Sequence, residues 1–196
     1  MAKRDTREKI IDAAVAILGR DGPDKFSASA LARETGVSKA TIFHHFGSIE
    51  DIPLAAFERL AGATLRGEPG ADRSLPDLLA RIGVENLAFM RTRKDFLRAY
   101  KVFVARAMFD PRLATELRRS IGELLGSMRA SMRPFLRNDA DAAAMARLTG
   151  AIFDGLALHM LSTGDDAEID AAWALFVRLV DGRLETGQVE KEEGGR

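Results

Sequence analysis

The stretch Ser27–Phe46, SASALARETGVSKATIFHHF, reads as two short helices and the turn between them. Ser27 is placed to cap the first helix, with Phe26 just before it able to staple onto Leu31. Gly36 stands where that helix must end, and it can take the left-handed conformation that a side chain resists. Ser38 caps the second helix, with Val37 stapling onto Ile42, while Ala32 is small enough to let the two helices approach. Ile42 and Phe46, four residues apart, share the inward face. What remains outside is Lys39, Ala40, Thr41, His44 and His45: a cation, a methyl, a hydroxyl and two imidazoles. A helix fixed by a partner across a sharp turn, with one polar face free, is what entry into a DNA major groove requires. These side chains can meet base edges and phosphates, so the stretch predicts a DNA-reading helix-turn-helix.

Working outward, apolar residues recur every three or four positions along the chain and no period-two strand pattern emerges, so the predicted fold class is all-α. A first helix runs from near Asp5 or Thr6, with Ile10, Ala14, Ile17 and Leu18 on one face, and stops at Gly22-Pro23. Ser48 and Asp51 form a capping box for a helix from Ile49 to about Leu65. The Gly- and Pro-rich run Gly67–Ser74 is the expected boundary between an N-terminal domain (residues 1–66) and a larger helical domain (residues 67–196). Helices are expected there at Leu75–Met90, Lys94–Phe109, Pro111–Leu136, Asp139–Thr163 and Ala167–Leu184, followed by a frayed polar tail, Glu185–Arg196.

Composition narrows the function classes. The 196 residues hold 29 Lys and Arg against 29 Asp and Glu, so DNA binding must come from a local site rather than from bulk charge. The excess of acid in residues 139–196, 12 against 5, places that end away from DNA. No secretory leader or membrane-length apolar run is apparent, so a soluble, cytoplasmic protein is expected. The absence of cysteine excludes disulfides and thiolate chemistry. His44 and His45, adjacent on a helix, point about 100° apart and suit a single metal ion poorly. No motif pairs a nucleophile with a base and no phosphate-binding glycine loop is present, so neither an enzyme nor a cofactor is expected.

The run Phe26 to Ile52 resembles the DNA-binding domain of the tetracycline-repressor (TetR) family, most specifically in GVSKATIFHHFGSIEDI, Gly36 to Ile52. The rest of the chain matches that family in layout. The resemblance implies that Lys39 and Ala40 touch bases, that Thr41 reaches a base or a phosphate, and that Ser27 and His45 hold phosphates. Ser29, Ser38, Phe43 and His44 complete the expected DNA-contacting set. The family usually has Tyr at the position of Phe43 and Lys at that of Ile49, so two backbone contacts are missing. It further implies a homodimeric repressor on a palindromic operator, released when a small-molecule effector changes the spacing of the reading helices. The helix Ile49–Leu65 would carry that change.

In the larger domain, Phe96, Tyr100, Phe103, Met108, Met128 and His159 are the candidate ligand contacts, Tyr100 foremost as a polar handle in an apolar bundle. Each also fits a core or satisfied interior position. The 12 Lys and Arg between Arg91 and Arg137 fit a solvated helix face at least as well as an anion site. Leu148, Ile152, Gly155 and Leu156, with Leu175, Phe176 and Leu179, form two C-terminal stripes that resemble the family's four-helix dimer interface. Two other readings stay open: a constitutive or architectural DNA-binding dimer without a ligand, and a helical enzyme or binding protein whose first domain is only structural.

Overall fold

Short polar side chains start most of the helices in the computed structural model, which describes residues 2–64 and 72–182. Ser27, Ser38, Ser74, Asp110, Asn138 and Asp165 each accept hydrogen bonds from backbone N–H groups of the first turn that follows. Each thereby satisfies donors that a helix start leaves without an internal partner. The elements are α1 (Ala2–Arg20), α2 (Ala28–Thr35), α3 (Lys39–Phe46), α4 (Asp51–Thr64), α5 (Leu75–Thr92), α6 (Lys94–Ala107), α7 (Pro111–Met132), α8 (Asp139–Ser162) and α9 (Asp166–Val180). Single 3-10 turns cover Pro23–Lys25 and Arg133–Phe135. The described residues form no strand, as an all-α chain should.

Several boundaries differ from those expected. Helix α1 begins earlier, at Ala2, and α6 stops at Ala107. Pro134, which cannot donate to an α-helical bond, ends α7 at Met132 in a tighter turn. The capping box at Ser48 and Asp51 does not form. Ser48 Oγ instead accepts the Glu50 N–H and donates to the Glu50 carboxylate, while Asp51 Oδ1 accepts a bond of 2.6 Å from Arg112 on α7. The boundary expected at residues 66 and 67, the helix ends expected at Leu65 and Leu184, and the tail from Glu185 lie outside the described residues.

Among the described residues, two apolar cores organise the packing. The first joins Ile10, Ile11, Ala14, Ile17 and Leu18 of α1 to Leu31, Ile42, Phe46, Ile52 and Phe57 of α2, α3 and α4. Phe96, Ala99 and Phe103 of α6 belong to it as well. The second gathers Leu75, Leu78, Leu79, Leu87 and Met90 of α5 with Leu97, Met132, Ala146, Ala157, Met160, Ile169 and Trp173. Helix α6 therefore serves both, presenting Phe96, Ala99 and Phe103 to the first and Leu97 to the second. Full burial of an aliphatic or aromatic side chain of this kind contributes about 1.5–3 kcal/mol.

Two glycines permit the tightest approaches. A Cβ on Gly19 of α1 would lie 2.6 Å from the carbonyl carbon of Asp95, so α1 runs against the backbone of α6. A Cβ on Gly83 of α5 would lie 2.5 Å from atoms of the Trp173 indole, which fills that gap and stacks on Phe153 with ring centroids 4.4 Å apart.

Candidate nucleic-acid interface

Helix α3 owes its position to caps at both ends and two buried anchors. Ser38 Oγ accepts the Thr41 N–H at 3.0 Å, and Ser27 Oγ accepts the Ala30 N–H at 3.2 Å at the start of α2. Gly36 has φ 72°, the left-handed turn between the two helices, and its N–H closes on Ala32 O. Gly47, with φ 53°, ends α3. Ile42 is fully buried and Phe46 nearly so, the latter beneath the Arg7 guanidinium, 5.1 Å from the ring centroid. Phe26 and Val37 pack on the same core, where both staples require them.

The outward face carries the expected side chains. Lys39, Ala40, Phe43 and His44 are exposed, Thr41 and His45 half-buried, and Ser27, Ser29 and Ser38 exposed. The Thr41 hydroxyl is 2.8 Å from Ser38 Oγ, so cap and reading face share a hydrogen bond. The His44 and His45 rings meet edge to face with centroids 5.6 Å apart. Ile49 packs against the first core instead of facing outward. On the opposite side Arg20 joins α1 to α2, bonding both Asp21 and Glu34, and those hydrogen bonds hold the two carboxyls below their ordinary range.

The larger domain sorts its candidates differently. Phe96 and Phe103 are buried in the first core. Tyr100 is half-buried beside them, its ring stacked on Phe57 of α4 at 6.0 Å. Burial, with the Asp154 carboxylate as a lesser influence, pushes the Tyr100 phenol up to about 12. Met128 packs on the second core. Met108 and His159 do not line the interior. Met108 is 73% exposed in the turn that follows α6, which ends one residue earlier, and His159 sits on the outer side of α8 beside the exposed Leu158. The hydroxyls of Ser120 on α7 and Thr149 on α8 are buried without a hydrogen-bond partner, polar points in the interior that residue patterns did not single out. Of the dimer candidates, Leu148, Gly155, Leu175 and Leu179 are exposed; Ile152, Leu156 and Phe176 are half-buried against the second core.

The seam between the two cores leaves little mark in the residue pattern. Arg112 of α7 pairs with Asp51 at the start of α4, and Gly19 meets Asp95. A glycine directly after the apolar run AVAIL of α1 was the available signal of close helix approach.

Residues 10–56 match the family model for bacterial regulatory proteins of the tetR family, and residues 76–185 match that for the C-terminal domain of BetI-type transcriptional repressors. The chain belongs to the TetR family of bacterial transcriptional regulators. Its similarity to the HTH-type transcriptional regulator BetI of Rhizobium meliloti is 24% identity over 181 residues, covering 91% of this chain and 89% of that one. The TetR-family fold recurs in a transcriptional regulator from Saccharomonospora viridis solved with choline, at a TM-score of 0.71 and 21% identity, over 92% of this chain and 97% of the other. It recurs in the multidrug-binding protein EbrR complexed with ethidium, at a TM-score of 0.66 and 25% identity, over 89% and 98% of the two chains. This TetR-family chain is a regulator of transcription and not an enzyme. Among the described residues no helix is long and apolar enough to cross a membrane.

Proposed function

We propose that the chain is a cytoplasmic repressor that binds a palindromic operator as a homodimer and is released by a small molecule held in the α5–α9 bundle. The observation that carries this reading is the free polar face of α3, presented on a helix that both caps and the buried Ile42 and Phe46 hold in place. Lys39 and Ala40 then read base edges, Thr41 bonds a base or a phosphate, and Ser27, Ser29, Ser38, His44 and His45 meet the backbone. Phe43, 42% exposed, offers only apolar contact where the family's tyrosine would bond a phosphate.

One reading helix spans few base pairs, so specificity calls for two of them about 34 Å apart on a two-fold axis. Support for the pairing surface comes from α8 and α9, where Leu148, Leu158, Leu175 and Leu179 are each 42% exposed or more. Support for ligand control comes from two structural relatives, one holding choline and the other ethidium, both organic cations. Coupling to the reader is supported by α6, which packs in both cores, and by the Arg112 to Asp51 ion pair. The route from effector to α3 thus uses α6 and α1 as well as α4.

Lys39→Ala is expected to weaken operator binding by about fivefold or more, since a good base contact carries about 1–3 kcal/mol of discrimination. Its affinity for random DNA should change far less. A gel-shift series on operator and scrambled duplexes at fixed salt measures both. Equal loss on the two would make Lys39 a phosphate contact. Titrating choline and ethidium into the wild-type operator complex tests release, and a complex indifferent to effectors would be a constitutive binder.

A further inference from the structure

An open groove of about 720 Å³ runs between α1, α4 and the corner joining α5 to α6. Its walls are Asp12, Val15 and Ala16 on α1, Arg59 on α4, and the run Arg91 to Phe96 at the corner. Four of its side chains are cationic, and their partners differ. Arg59 is matched by Glu8 and by Asp12 at 3.5 Å, and Arg91 by Asp170 and by Asp166 at 3.6 Å. The Asp95 carboxylate is taken by Arg98 at 2.8 Å. Arg93 and Lys94 have no carboxylate partner among the described residues, so two cations stand unpaired on one wall, whereas Arg59 and Arg91 each face two carboxylates.

Arg93, an exposed residue, also lies over two aromatic rings. Its guanidinium carbon lies 5.8 Å from the centroid of the Phe89 ring and 5.4 Å from that of Phe96. Packing on ring faces uses the flat surface of the guanidinium and leaves its N–H edge to bond an acceptor, the geometry that suits carboxylate and phosphate oxygens. Lys94 beside it is half-buried, and an ammonium partly removed from water gains most from an anion.

We propose that this groove binds a small polyvalent anion, a phosphate-bearing or dicarboxylate molecule, between Arg93 and Lys94. The volume is ordinary for a small-molecule site. Its place is informative, because Asp95, next to both cations, is the residue whose carbonyl Gly19 of α1 rests against. An anion seated there ties the corner before α6 to α1 and so bears on how the first core is held.

The probes are inorganic phosphate and succinate, added to the full chain without DNA and compared with sodium chloride at equal ionic strength. At ten times its dissociation constant a bound anion should raise Tm by about 4 °C. The expected result is saturable stabilisation by at least one probe, lost in the double variant Arg93→Gln, Lys94→Gln and retained in Lys39→Ala. Loss in Lys39→Ala would place the anion on the DNA-reading face instead. The proposal is overturned by that result, by an equal rise in the double variant, or by no rise beyond the chloride control. If the double variant melts below the wild type in chloride, Lys94→Gln alone serves, with at least a threefold weaker midpoint expected by calorimetry.

Discussion

Phe57→Ala is expected to cost about 3–5 kcal/mol of stability, the usual range for emptying a buried phenylalanine site. Phe57 is 1% exposed on α4, stacked on Tyr100 at 6.0 Å and edge-on to Phe103 at 5.8 Å, both on α6. The lost ring takes with it the apolar transfer energy, and the surrounding helices are pinned by other contacts and cannot close the void. Chemical denaturation followed by circular dichroism measures the loss, and Phe57→Leu, which keeps most of the volume, should cost less than half as much. A cost under about 1 kcal/mol for the alanine variant would mean that α4 and α6 are not packed through this ring. Because the same ring joins the helix after the reader to the helix shared by both cores, a destabilised variant that still binds operator should respond less to effector.

Gly19→Ala is expected to lower Tm by roughly 10 °C, from an overpacking cost of about 3 kcal/mol. Alanine in a helix normally gains about 1 kcal/mol over glycine. Here the new methyl would overlap the Asp95 carbonyl, which is backbone and cannot rotate away as a side-chain tip can. Helix α1 must lift from α6 or the start of α6 must move. Gly122→Ala is the control, since a Cβ at that site on α7 meets nothing within 4 Å and the variant should be as stable as the wild type or slightly more so. If both variants melt alike, the close approach of α1 to α6 does not exist in solution.

What could be read along the chain was local. The caps at Ser27, Ser38 and Asp110, the left-handed turn at Gly36, and the Ile42 and Phe46 pair act over a few residues, so spacing alone was enough to place α2, α3 and the outward polar face of α3. The family resemblance, centred on Gly36 to Ile52, rests on the same short-range pattern and led to the right family. The Ser48 and Asp51 box failed on both sides, locally because Ser48 Oγ turns to Glu50 and at long range because Arg112, 61 residues away, takes the Asp51 carboxylate.

The interior of the larger domain shows the same divide. Periodicity marks Phe96, Tyr100, Phe103 and Met108 as one apolar series, but it cannot say which core each side chain meets or where the helix stops. Local sequence is enough to make the chain all-helical and to have a capped, glycine-turned pair expose Lys39, Ala40 and His44, because propensity, capping and side-chain period act within one or two turns. Long-range packing is what divides α6 between two cores, sets Gly19 on Asp95, and turns Met108 and His159 outward. Those facts depend on which helices meet across the fold, and shape complementarity between distant segments leaves no period in the sequence.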